Sequence, residues 1–157
     1  MIKELSKEKG LAKARAICAK LEKCKADIRQ KLYDWKVNPS HHNEIIESLE
    51  KEKFIDEKRY VEFFVRDKFK LNKWGKTKIE YALRSKLIDS ELIAECINQI
   101  DDKTYFDTCE ELINKKFKTL KVDNEQILKE KLLRFGLSRG FESSLVFKIV
   151  ENQLSKK

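Results

Sequence analysis

Phe54 to Ile88 reads FIDEKRYVEFFVRDKFKLNKWGKTKIEYALRSKLI, and its apolar residues recur at spacings of three and four. That period lays them along one side of a helix. Asp56 stands where an N-cap belongs, and Tyr60, Phe63, Phe64 and Phe69 follow on the face a first helix would bury. Asn72 and Gly75 interrupt it, Gly75 and Thr77 open a second helix around Ile79 and Leu83, and Asp89 or Ser90 caps a third around Ile93, Cys96, Ile97 and Ile100. The same stretch holds the densest positive charge. From Glu57 to Lys86, ten cations (Lys58, Arg59, Arg66, Lys68, Lys70, Lys73, Lys76, Lys78, Arg84, Lys86) stand against four acids, a net +6 out of +8 for the whole chain. With the aromatic residues turned inward, the cations gather on what remains exposed. A basic surface on a rigid support suits a polyanionic or acidic partner.

The pattern recurs on both sides. Ile28, Leu32 and Val37 match Ile79, Leu83 and Ile88, and again Leu128, Leu132 and Leu137. Ile45, Ile46 and Leu49 match Cys96, Ile97 and Ile100, then Leu145, Val146 and Ile149, while Cys18, Phe69 and Phe117 precede each set. A period of about fifty residues is the mark of a tandem helical repeat. The expected fold is all-α: three tandem three-helix repeats stacked into an elongated, curved helical array. The boundaries fall at 1–54 for a lead-in with the first repeat, 55–103 for the central basic repeat and 104–157 for the third. Ser40 is expected to cap the helix after the Asn38-Pro39 break, Asp123 to open a capping box, and Gly136 to supply a left-handed C-terminal residue. The first ten residues read as a frayed or partly helical lead-in.

Composition agrees. Of 157 residues, 39% are charged, with four glycines and one proline, which favours long helices over a sheet with frequent turns. A chain this long buries roughly 70% of its unfolded surface, enough for a core. The N-terminal MIKELSKEKGLAKARAICAK lacks the apolar run of a signal peptide, and no segment reaches the roughly 20 apolar residues of a membrane span. We therefore expect a cytoplasmic protein with no membrane contact. Cys18, Cys24, Cys96 and Cys109 lack C-x-x-C spacing and read as reduced thiols.

No catalytic constellation stands out. His41 and His42 fall in an expected solvated loop, and neither phosphate-binding glycine motif is present. A zinc set of Cys18, Cys24, His41 and His42 is disfavoured because adjacent histidines rarely turn both rings onto one metal. We expect no enzyme, no cofactor and no metal. The positive signal is Lys68, Lys70, Lys73, Trp74, Lys76 and Lys78 around the break at Asn72 and Gly75. Trp74 reads either as a lid on the core or as a platform beside a cationic loop and helix N-terminus that meet phosphate or carboxylate. Arg59, Arg66 and Arg84 either pair with acids of the third helix or face a partner.

The stretches Phe54-Ile55-Asp56-Glu57-Lys58-Arg59-Tyr60, Phe63 to Phe69 and Asn72-Lys73-Trp74-Gly75-Lys76-Thr77-Lys78-Ile79 resemble the central motif of the RecX family, bacterial regulators of the RecA recombinase. The likeness is to the branch with an Asn-Lys-Trp-Gly loop where other members carry a Gly-rich segment ending in Pro. It implies an all-helical monomer of three tandem repeats that lies in the groove of the RecA-DNA filament and restrains its ATPase, strand-exchange and coprotease activities. Single- or double-stranded DNA is a further implied partner. Carried onto this sequence, partner contact would fall to Arg59, Arg66, Lys68, Lys70, Lys73, Trp74, Lys76, Lys78, Arg84 and Lys86, with Arg134 and Arg139 added from the third repeat. Two other readings stand beside it: a direct nucleic-acid-binding helical-repeat protein, and a non-catalytic adaptor for an acidic protein.

Overall fold

The structure, a computed structural model, describes residues 3–156. Among these it holds nine α-helices: α1 (Lys7–Lys20), α2 (Lys25–Asp34), α3 (His42–Lys51), α4 (Glu57–Lys70), α5 (Lys76–Ser85), α6 (Ser90–Ile97), α7 (Asp102–Thr119), α8 (Glu125–Ser138) and α9 (Ser143–Ser155), with a 3₁₀ turn at Pro39–His41. The only extended pairing described is a single parallel bridge between Leu5 and Val37. The fold is all-α, and none of the described helices is long and apolar enough to cross a membrane.

Two compact units divide the chain. One runs to Phe64 and takes in Leu83–Leu92; the other holds Val65–Ala82 and the residues from Ile93 onward. In the first unit α1, α2 and α3 pack on one another around Ala14, Ile28, Leu32, Val37, Ile45, Ile46 and Leu49. In the second, α7, α8 and α9 pack together, burying Tyr105, Cys109, Ile113, Leu128, Leu132, Val146, Ile149 and Val150.

The helix starts follow local chemistry. Asp56 Oδ1 accepts from the N–H of Arg59 (3.1 Å), and Asp89 Oδ2 from that of Leu92 (3.2 Å), each satisfying a donor the helix itself cannot. Elsewhere the caps differ from expectation. Asn124, not Asp123, accepts from Ile127 N–H to open α8. Ser40 caps nothing: it lies inside the 3₁₀ turn, where Asn38 Oδ1 accepts from its N–H (3.0 Å). Of the two readings of the lead-in, the partly helical one holds: Ser6 caps α1 from Lys7 onward, and Leu5 N–H donates to Lys36 O (3.1 Å). Met1 and Ile2 lie outside the described residues.

The repeat itself needs one correction. Helices α2 and α5 are 10 residues long, whereas α8 has 14, one extra turn. The second helix of each repeat is followed by a left-handed residue, Lys36 (φ 62°), Leu87 (φ 61°) and Gly140 (φ 95°), and then by a buried one, Val37, Ile88 and Phe141. The N–H groups of Val37 and Phe141 reach back five residues to Leu32 O (2.9 Å) and Gly136 O (3.3 Å), the Schellman pattern. Phe141 is therefore the counterpart of Ile88. Leu137 is 48% exposed, and Gly136 is helical and buried against Val146 rather than ending the helix.

Counted from these turns, His42, Ile93 and Val146 fall on one position, five residues past Val37, Ile88 and Phe141. All three are buried, so His42 is a core residue and not a solvated loop histidine; its Nε2 bonds Val37 O at 2.9 Å. On α4 the buried line runs through Tyr60, Val61, Val65 and Phe69. Phe63, two residues and about 200° of helical rotation from Val61, is turned outward and 40% exposed.

Candidate functional site

The candidate residues divide between the units. Arg59, Arg84 and Lys86 belong to the first; Arg66, Lys68, Lys70, Lys73, Trp74, Lys76, Lys78, Arg134 and Arg139 belong to the second.

In the second unit the C-terminal half of α4 leads into the 71–75 loop. Lys73 adopts the left-handed conformation (φ 58°), and Trp74 N–H returns to Lys68 O (3.0 Å), stopping the helix and folding the indole back over its last turn. The loop is then pinned from far along the chain. Gly75 N–H donates to Arg139 O (2.8 Å), Lys76 N–H to the Tyr105 hydroxyl (2.9 Å), and Thr77 N–H to Gly140 O (3.0 Å). Three of the amides that open α5 are therefore spent, and an anion at this helix N-terminus would find those donors already bonded.

Tyr105 is central to the arrangement. Its ring is buried between Phe69 (5.8 Å between centroids) and Phe141 (5.2 Å), with Lys76 Nζ 4.6 Å from its centroid. Its hydroxyl donates to Glu142 Oε1 while accepting from Lys76. Burial, and then the Glu142 carboxylate, push the phenol well above its ordinary range, so it stays protonated as donation to Glu142 requires. Arg139 Nη2 donates to Asn72 O, which commits that guanidinium to holding the loop.

Around this fixed frame sit the cations. Lys68 Nζ and Lys78 Nζ lie 5.0 Å and 4.6 Å from the Trp74 ring centroid. Attraction to the ring's negative face keeps both ammonium groups near the indole. Arg66, Lys70 and Lys73 are exposed, and among the described residues no carboxylate pairs with these three, with Lys76 or with Lys78. Arg134 is exposed on α8.

The first-unit candidates are differently employed. Arg59 Nε donates to Glu22 Oε1 (2.5 Å) and its Nη2 to Lys53 O (3.1 Å). Glu22 lies in the segment between α1 and α2, not on the third helix the sequence offered as its partner. Lys86 Nζ donates to Asp27 Oδ1 (2.5 Å). Arg84 lies exposed in the last turn of α5.

Burial pushes the Cys24 thiol up to about 11 and that of Cys109 up to about 12, so both are protonated at neutral pH and poor nucleophiles. No disulfide joins the four cysteines, and among the described residues no three His, Cys, Asp or Glu side chains gather to hold a metal. Sequence reasoning missed Tyr105, Glu142 and the Gly140-Phe141 turn as supports of the loop. Aligning the repeats on their left-handed turns, rather than on the helix starts, would have singled out the turn.

Comparison with known proteins gives a consistent result. The family model described as RecX, second three-helix domain, matches residues 56–97, and the one described as RecX, third three-helix domain, matches residues 103–150. The regulatory protein RecX of Clostridium acetobutylicum is 30% identical over 151 residues, covering 92% of this chain and 70% of the relative. That of Clostridium perfringens (strain 13) is 28% identical over 162 residues, covering 97% and 76%. The crystal structure of RecX from Lactobacillus salivarius superposes with a TM-score of 0.79 at 21% identity, over 93% of this chain and 95% of that one, and so shares the fold.

Proposed function

The chain belongs to the RecX family of regulatory proteins, and from that membership we propose that it is a non-catalytic modulator of the RecA recombinase. It binds in the groove of the RecA-DNA filament and restrains ATPase, strand-exchange and coprotease activity. The observation that carries this reading is the set of Arg66, Lys70 and Lys73, exposed and without carboxylate partners, beside a loop that backbone bonds to Arg139 and Gly140 hold in place. Cations left uncompensated draw a negatively charged partner, and a loop ordered beforehand spares the entropy of ordering it on contact. Trp74, Lys68, Lys76 and Lys78 form the inner part of that surface, and Arg139 acts mainly by holding it. Arg59 and Lys86, already in ion pairs, contribute chiefly to the fold of the first unit.

The test is the ATPase rate of the cognate RecA on single-stranded DNA. The protein lowers it at or below stoichiometric amounts, and a Lys70→Glu/Lys73→Glu variant that keeps its helical content does not. No effect of the unaltered protein overturns the reading. Titration of DNA without RecA separates it from direct nucleic-acid binding. A protein that neutralises about four phosphates would bind DNA strongly by itself and lose about 10²-fold in affinity between 50 and 200 mM salt.

A further inference from the structure

The second unit carries a second unneutralised surface, at the C-terminal end of α7 and the exposed side of α8. A concavity of about 410 Å³ is lined by Lys116, Leu120, Lys131, Arg134, Phe135 and Ser138. All its charged residues are cations. Leu120 and Phe135 are half-buried and provide an apolar floor, while Lys131 and Arg134 stand exposed at the rim. Lys116 Nζ lies 5.4 Å from the centroid of the Phe135 ring. Among the described residues no carboxylate pairs with Lys116, Lys131 or Arg134. The contrast lies on the same helix: Lys129, two residues from Lys131, is bonded to Glu151 and stacks on Phe147 at 4.9 Å. One side of α8 thus carries a compensated cation, and the other side has cations with nothing to answer them.

We propose that this concavity docks a short acidic peptide segment carrying one bulky apolar residue. The apolar side chain seats on Leu120 and Phe135, and carboxylates on either side of it meet Lys116, Lys131 and the guanidinium fork of Arg134, which takes a carboxylate through two parallel bonds. Charge complementarity selects an anionic partner, and the floor distinguishes which kind. A nucleobase needs an open aromatic face to stack on, and the only ring lining the site already has the Lys116 ammonium over it. An aliphatic or aromatic anchor needs only apolar volume. The inference concerns the second unit alone and does not depend on RecA being the partner.

The experiment titrates the full chain against fluorescein-labelled probes, read by anisotropy. One is a short peptide of Glu and Asp around a single phenylalanine; another has serine in place of that phenylalanine; the third is an oligothymidylate. The phenylalanine peptide binds saturably. Its affinity falls about tenfold or more with Lys131→Glu/Arg134→Glu, whose circular dichroism matches the parent, and by a similar factor when serine replaces the anchor. Equal binding by the double variant places the site elsewhere. Equal binding of the serine peptide reduces it to diffuse charge attraction, and oligothymidylate binding of equal strength that the double variant also loses makes it a nucleic-acid site. Any of these results, or no saturable binding of the phenylalanine peptide, overturns the proposal. No RecA is present, so these outcomes and the ATPase result can fail independently.

Discussion

Gly75 lies against Gly140 so closely that neither can carry a side chain: a Cβ at Gly75 would fall on the carbonyl carbon and oxygen of Gly140, and one at Gly140 on the Cβ of Lys78. Neighbouring backbone bonds, Gly75 N–H to Arg139 O and Thr77 N–H to Gly140 O, hold the two segments at that spacing. Gly75→Ala must therefore move backbone, not merely a flexible side chain. We expect a loss of at least about 2 kcal/mol in urea denaturation. In a Trp35→Phe background, acrylamide quenching should show Trp74 more accessible. Gly140→Ala should cost as much, because it adds the strain of a left-handed alanine.

Removal of the Tyr105 hydroxyl tests the loop's other support. In Tyr105→Phe the ring still packs on Phe69 and Phe141, but Lys76 N–H loses its acceptor and Glu142 its donor. Leaving part-buried polar groups unpaired costs about 1–3 kcal/mol. Chemical denaturation checks it, and a change within experimental scatter would show that water replaces the hydroxyl without penalty.

The repeat register predicts two different alanine results. Phe141→Ala empties a site that is 2% exposed and should cost about 3–5 kcal/mol. Leu137→Ala, at 48% exposure, should stay within about 0.5 kcal/mol. Thermal and urea unfolding of the pair decide between the register counted from the helix start and that counted from the turn.

The Asp27–Lys86 pair gives the first unit a pH dependence of known sign. Burial alone would raise the Asp27 carboxyl, but the Lys86 ammonium and the Cys24 N–H outweigh it and hold the carboxyl below its usual value; bonding to Asp27 raises Lys86 in turn. Asp27's contribution is thus present above its unfolded value of about 3.9 and lost as pH falls through the lower folded one. That of Lys86 is full below about 10.4 and lost as pH rises through its raised folded value. Since the Lys86 side chain is 42% exposed and screened, Asp27→Asn should cost only about 1 kcal/mol at neutral pH. The difference from the unaltered protein should shrink below about pH 4. Denaturation at several pH values measures it.

The legible part of the fold was local. Asp56 as a cap, the break at Asn72 to Gly75 and the buried Ile28, Leu32, Ile79, Leu83, Leu128 and Leu132 could be read from spacing, because a helix repeats its own geometry and its neighbours in sequence are its neighbours in space. His42 could not. A histidine beside another, after a proline break, carries no mark of burial, and its place became clear only when the turns showed it standing where Ile93 and Val146 stand. Nor could the extra turn of α8, since four added residues preserve the apolar period and leave the count from the helix start looking sound.

The candidate surface divides in the same way. The excess of Lys and Arg between Glu57 and Lys86, and the Asn-Lys-Trp-Gly motif that goes with the family, are properties of consecutive residues and stood open in the sequence. Which of those cations remain unanswered was decided by tertiary structure alone. Asp27 and Lys86 are 59 residues apart, and Asn72 and Arg139 are 67. Pairing over such separations depends on how helices pack, and only the packed chain shows that Lys86 is neutralised, that Arg139 holds the loop, and that Arg66, Lys70 and Lys73 have no carboxylate partner among the described residues.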